Sequence, residues 1–190
     1  VSGFQQTPDP AASATDMILV PVVPVGIQGT RGDQANYEGG VYRVERDTAL
    51  ARIGFRITTA GVGAMCRLGL YQVPGGRPDV AALIAGGTVD VSAAGGFYLE
   101  TPGAFVWAGE CYLLYGRSVA GGYTMRAYGM QSYDTMNQNV PAGMRPLSFT
   151  TGIPASGELP ATFDPRAVAD GGQAVASVAN TMPVIRLVNP

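Results

Sequence analysis

The sequence predicts an all-β protein: a jelly-roll-like antiparallel β-sandwich with an extended N-terminal arm. Three observations predict it. Short runs alternate with period two, as in residues 51–57, where Ile53, Phe55 and Ile57 share one face and Arg52 and Arg56 the other, because successive side chains on a strand point to opposite faces. Turns punctuate these runs throughout, drawing on 27 Gly and 14 Pro. At 190 residues and 46% hydrophobic content the chain is long and apolar enough for one buried core.

Residues 1–40 read as an arm used in assembly or attachment, and residues 41–190 as the sandwich domain. The arm carries little charge and contains Pro8, Pro10, Pro21 and Pro24, followed by a turn-rich stretch over residues 26–33. Its apolar centre, with Ile18, Leu19, Val20, Val22, Val23 and Val25, suits either a sheet edge, where Pro is tolerated, or packing against another subunit. Residues 17–25 fall well short of the ~20 needed to span a bilayer as a helix, and two prolines interrupt them. Residues 1–16 are polar, with Asp9 and Asp16 and no basic residue, so no secretory signal is expected.

Beyond Tyr42 the strand phrases follow one another. Residues 51–57 and 65–73 alternate; a turn over residues 74–79 leads into residues 81–91, where Gly86-Gly87 suggests a bulge or bend before residues 88–91. Residues 93–96 break the pattern, and strands are expected over residues 97–100, 104–107, 111–116 and 123–129. At least seven short strands thus fit between Tyr42 and Gly129, which is sandwich spacing. Residues 130–146 show no period and read as a surface excursion. A strand over residues 147–151, a helical turn around residues 174–178 and a closing strand over residues 184–188 complete the reading.

All 12 basic residues are Arg, with no Lys and no His. Chemistry that uses a His general base, a His metal cluster or a lysine Schiff base is therefore excluded. Fourteen acidic residues give a net charge of −2, so neither nucleic acid nor an anionic membrane is an expected partner. Cys66 and Cys111 can pair in an oxidising compartment, but each lies inside an apolar strand pattern, which favours two reduced core thiols.

Arg31-Gly32-Asp33 matches an integrin-recognition tripeptide, although a Gly-rich turn produces it readily. Asp47, Asp79, Asp90, Glu100 and Glu110 lie near strand ends, where paired carboxylates can hydrolyse glycosides without His, but no spacing singles out a pair. No phosphate loop, metal-ligand spacing or nucleophile elbow is present, and no cofactor or metal is expected. Met125, Tyr128, Met130, Tyr133, Met136, Asn137, Asn139 and Met144 suit either the sandwich core or contact with a protein or sugar.

The order of phrases resembles a β-sandwich module that recurs in bacteriophage structural proteins. The residues that carry it are Arg52-Ile53-Gly54 with Thr58-Thr59-Ala60-Gly61, then Arg67-Leu68-Gly69-Leu70-Tyr71, a Pro-Gly-Gly turn, Gly86-Gly87-Thr88-Val89-Asp90 and Glu110-Cys111-Tyr112-Leu113. It covers residues 49–116 and departs from the module at its close, where Gly109-Glu110-Cys111 stands in place of a Pro-Gly-aromatic phrase and Trp107 precedes it. The resemblance implies a non-enzymatic virion structural protein, a capsid decoration or a small fibre or tail appendage subunit, assembled in the host cytoplasm and resident in the phage particle. Its expected partners are further copies of itself, as a homotrimer formed through the arm, and major capsid or tail proteins. Two alternatives stand beside it: a carbohydrate-binding adhesin that stacks aromatic side chains on host-surface glycan, with Tyr128, Tyr133 and Met136 as candidate contacts, and a His-free carboxylate glycosidase.

Overall fold

The computed structural model describes residues 17–21, 29–32, 35–73, 80–119, 122–129, 148–164 and 181–190. Among them there is no helix. The strands are β1 (Met17–Pro21), β2 (Gly29–Gly32), β3 (Asn36–Val44), β4 (Thr48–Thr59), β5 (Met65–Gln72), β6 (Ala81–Asp90), β7 (Gly95–Val106), β8 (Gly109–Val119), β9 (Thr124–Gly129), β10 (Ser148–Pro154), β11 (Thr162–Phe163), β12 (Thr181–Pro183) and β13 (Ile185–Val188). All pairings are antiparallel, so the chain is the all-β sandwich that the alternation predicts.

Sheet A is built on β4. Its one edge takes β7 and its other takes β13 and then β9, which in turn carries β2 and β12. Sheet B runs β6, β5, β8, β3, with β11 added to β6 and β10 to the far edge of β3. The two sheets share β1: residues 17–19 pair with β13 and residues 20–21 with β3. The backbone at the arm's centre is thus hydrogen-bonded within the chain, and β3 runs across the boundary drawn after residue 40. Val22, Val23 and Val25 lie outside the described residues.

The main core lies between the sheets. Sheet A contributes Ile53, Phe55, Ile57, Leu99, Val106, Met125 and Leu187; sheet B contributes Tyr42, Cys66, Leu68, Leu70, Cys111, Leu113 and Tyr115. Phe55 and Phe97 are paired across β4 and β7 and stack with ring centroids 5.9 Å apart, a cross-strand pair of the kind that stabilises sheets. Here Arg52 and Arg56 face outward, as the period-two reading requires.

Sheet B is covered on its other face too. Residues 151–164 lay Ala155 and Phe163, with Ile153 and Leu159, over Tyr37, Val41, Tyr71, Ala81, Tyr112 and Leu114. Tyr37 donates a hydrogen bond to the Gly157 carbonyl at 2.9 Å, Tyr71 to the Pro160 carbonyl at 2.8 Å, and Arg67 to the Gly157 carbonyl. Burial raises the phenol of Tyr37 to about 12 and that of Tyr71 further still.

Two expectations about strand breaks are corrected. The stretches at residues 97–100 and 104–107 form one strand, β7, not two: opposite Ala51, residues 101–103 are bulged out between the pairs Leu50–Ala104 and Arg52–Glu100, with Gly103 at φ +76. Pro102 sits in that bulge, where no ladder N–H is required. The irregularity expected at Gly86-Gly87 falls two residues earlier: both glycines are paired in register, with Gly69 and Leu68, and the residue left out of the β5–β6 ladder is Ile84, between the pairs Leu70–Ala85 and Tyr71–Leu83. These glycines make room. A Cβ on Gly86 would lie 2.5 Å from Leu159, and one on Gly87 2.7 Å from Leu99. The expected helical turn at residues 174–178 lies outside the described residues.

Candidate functional site

Because residues 151–164 cover sheet B, the outer face of sheet A is the broad sheet surface left open among the described residues. At one end of it β7 terminates. Val106 points into the core, so its neighbours Phe105 and Trp107 point the other way. They are 39% and 52% exposed and meet edge to face, with ring centroids 5.4 Å apart.

The turn that carries Trp107 is held from beneath. Gln72, at the end of β5 and only 4% exposed, accepts a hydrogen bond from the Trp107 amide at 2.9 Å and donates to the Trp107 carbonyl at 2.7 Å. Its amide nitrogen also reaches the Glu110 carbonyl at 3.4 Å. Asp47, in the turn between β3 and β4, accepts from the Ala108 amide at 2.8 Å. Two side chains from separate turns thus fix one backbone loop, and the indole is presented on a rigid support. An exposed aromatic fixed in this way loses little conformational freedom on binding, which favours affinity.

Farther along the same face, Arg52 lies 4.0 Å from Glu100 and places its guanidinium 5.2 Å above the Tyr98 ring. Both contacts anchor the arginine.

Other residues singled out in the sequence fall elsewhere. Asp90 caps its own turn, accepting from the Ser92 amide at 2.8 Å; hydrogen bonds from the Ser92 hydroxyl and then from its amide hold the Asp90 carboxyl below the usual carboxylate range. Asp47 is bound to the Ala108 amide and Glu100 lies beside Arg52, so those two carboxylates act as local anchors. No group of three acidic or cysteine side chains suited to a metal occurs among the described residues. Arg31 and Gly32 lie in β2, opposite Met125 and Thr124; Asp33 and Asp79 lie outside the described residues. Met125 is a core residue and Tyr128 lies in β9, while Met130, Tyr133, Met136, Asn137, Asn139 and Met144 lie outside the described residues.

Cys66 and Cys111 are both buried and both reduced. Cys66 lies opposite Arg117 on β8, six residues from Cys111, a separation of about 20 Å at ~3.3 Å per residue. A disulfide needs Cα atoms within ~7 Å. Burial pushes the Cys66 thiol up to about 12 and raises that of Cys111 as well, so neither is a nucleophile at neutral pH.

Two features had no counterpart in the sequence reading. One is the Gln72 clamp, which joins residues 35 apart and leaves no local pattern. The other is Glu38, buried at 1% exposure, whose carboxylate accepts a hydrogen bond from the Tyr115 hydroxyl at 3.0 Å.

Among the described residues, the fold and this face define a β-sandwich with one covered and one open sheet and an exposed aromatic pair, Phe105 and Trp107, on the open one. No family model and no curated protein matches the chain. Among solved structures, a variant of the Clostridial cysteine protease Cwp84 after propeptide cleavage is similar at 12% identity, with 93% of this chain and 40% of that chain covered and a TM-score of 0.44. The cysteine protease and lectin-like domains of Cwp84, a surface layer associated protein of Clostridium difficile, are similar at 14% identity, with 83% and 35% covered and a TM-score of 0.42. The chain thus spans less than half the length of either.

Proposed function

We propose that this chain is a non-enzymatic structural protein of a bacteriophage particle, a capsid decoration or a small fibre or tail appendage subunit, that makes its contacts through the outer face of sheet A. The observation that carries the contact role is Trp107, half exposed on a turn that buried Gln72 and Asp47 hold in place. A turn tied this firmly around an exposed indole has no need of that side chain for its own packing. The phage assignment draws support from the phrase resemblance, whose described residues fall on β4, β5, β6 and β8 and just after β4; its Pro-Gly-Gly at residues 74–76 lies outside the described residues.

The experiment is proteomics and electron microscopy of purified particles, followed by attachment assays with Trp107→Ala. The chain is expected in intact particles, and the variant is expected to fold with an unchanged melting temperature while attachment weakens. Absence from intact particles overturns the assignment. Light scattering on the full chain tests the homotrimer expected through residues 1–40; a monodisperse monomer removes that part.

The adhesin reading has a specific observation in its favour. Phe105 and Trp107 form an exposed aromatic pair of the kind that lies against sugar rings. It is the same surface put to a different partner.

A further inference from the structure

The two bulges of the sandwich face each other. Sheet B skips Ile84 in β6, and sheet A skips residues 101–103 in β7. Both strands are edges on the same side of the molecule. Among the described residues the outer edge of β7 pairs with nothing, and β6 bonds to residues 161–163 only as far as Leu83. Between the bulged stretches lies a cleft of about 370 Å³, walled by residues 83–86 on one side and 100–104 on the other. Small-molecule sites begin at roughly 300 Å³, so the cleft has room for a sugar ring.

We infer that this cleft binds a neutral saccharide through its hydroxyl groups. Thr101 is 4% exposed, and its hydroxyl is buried with no hydrogen-bond partner among the described residues. It follows the outward-facing Glu100 and so points between the sheets, into the wall of the cleft. A buried hydroxyl left unpaired is costly and rare in a native structure. A ligand hydroxyl seated in the cleft supplies the missing partner. Glu100 stands at the mouth, its side chain 42% exposed, with Arg52 at 4.0 Å. That distance is beyond hydrogen-bonding reach, and the carboxylate accepts no hydrogen bond among the described residues. The cleft thus combines a carboxylate, a hydroxyl and unpaired strand-edge backbone with the aliphatic surfaces of Ile84 and Pro102. A sugar matches that mixture, with hydroxyl groups that donate and accept and ring carbons that pack.

Charge and backbone geometry exclude the other classes. An anion meets Glu100 and finds no cation in the walls. A cation finds a single carboxylate whose charge Arg52 already offsets in part. An extended peptide needs an unbroken run of edge groups at strand spacing, and on β7 the bulge with Pro102 interrupts that run. A polyol needs only clustered donors and acceptors, which two facing bulges free from the ladder.

The inference goes beyond the contact role proposed for Trp107 and does not depend on it. The cleft ends at Ala104, beside Phe105, so one longer glycan can run from it to the aromatic pair.

The test is binding of the full-length protein to neutral oligosaccharides of glucose, mannose, galactose and N-acetylglucosamine, against spermidine and polygalacturonate, by saturation-transfer NMR and calorimetry. At least one neutral sugar is expected to bind, with spermidine and polygalacturonate silent. Glu100→Gln is expected to weaken that binding about tenfold, as loss of a charge-assisted hydrogen bond does, and Thr101→Val about fivefold, as loss of a neutral one does. The valine keeps the shape of the threonine, so the melting temperature is expected to hold or rise slightly. If one variant fails to fold, the other decides. Binding to none of the neutral sugars, tighter binding to spermidine or polygalacturonate, or unchanged binding in a folded variant overturns the inference. Binding lost in Trp107→Ala but unchanged in both cleft variants places the sugar on the aromatic pair, which removes the cleft and leaves the adhesin reading. Presence in phage particles is read separately, and neither result decides the other.

Discussion

Replacing Gln72 by Ala isolates the device that presents the aromatic pair. The side chain makes two short hydrogen bonds to Trp107, at 2.9 Å and 2.7 Å, and a longer one to Glu110. Each short bond contributes about 1 kcal/mol net, and water can re-pair part of the freed turn, so a loss of about 2 kcal/mol is expected. For a domain of this size that lowers the melting temperature by about 4–8 °C. Trp107 is the chain's single tryptophan, so its fluorescence reports on this turn without labelling. In Gln72→Ala the indole is expected to show lower anisotropy and faster quenching by acrylamide at temperatures well below the transition. Unchanged anisotropy and quenching would refute the argument that Gln72 holds the turn, whatever the melting temperature does; a changed melting temperature with a rigid indole would show Gln72 to be an ordinary core residue.

Further outcomes follow from the packing. Leu159→Ala is expected to destabilise by about 2 kcal/mol, the low end for Leu→Ala because the side chain is only half buried, and to do so without altering Trp107 fluorescence. Thr101→Val is expected to raise the melting temperature slightly, since the buried Thr101 hydroxyl has no hydrogen-bond partner among the described residues and an apolar isostere removes that penalty. Neither cysteine is expected to react with a thiol reagent at pH 8 until the protein unfolds, and both should then react. The Cys66 thiol ionises at about 12 when folded against an ordinary 9.0, so the unfolded chain sheds its proton first. The thiol's contribution to stability is complete below about pH 9 and is lost as pH rises from there toward about 12, and urea unfolding of Cys66→Ala should show a shallower alkaline decline.

The legible parts of the fold are those that repeat locally. Ile53, Phe55 and Ile57 face the core and Arg52 and Arg56 face out because strand geometry alone decides it, and β4 is where the sequence pattern is cleanest. Residues 36–40 look like arm in the sequence because the pattern over residues 36–44 does not alternate: Tyr37 and Val41 serve the outer core of sheet B while Tyr42 and Val44 serve the inner one. A strand buried on both faces carries no period. The bulge at residues 101–103 resembles a strand boundary in the sequence because Pro102 and Gly103 look alike in either role, and only the opposite strand shows that pairing resumes. What escaped entirely was partnership at a distance. Glu110 and Asp47 stand out in the sequence as carboxylates, whereas the side chain that organises their surroundings is Gln72, a residue type with no catalytic signature. In the sequence Trp107 is a departure from a phrase, with nothing in its neighbourhood to say that it is held out in solvent.

The two sheets differ in a way that bears on function more than the core between them does. A sandwich needs only its inner faces to fold, so the outer faces are free to diverge. Sheet B closes its outer face with residues 151–164, and glycines at 69 and 86 accommodate Leu159 there. Sheet A instead keeps charge and aromatic surface outward. A face that served solubility alone would need neither a covered aromatic nor an exposed one on a fixed turn. Yet Tyr98 is buried on the outside of the sheet, beneath Arg52 and across a glycine, and Trp107 is exposed on a turn tied down from within. Burial of the Tyr98 ring stabilises the sheet by itself, whereas the exposed Trp107 ring forgoes that gain, and a partner seated on it would recover it.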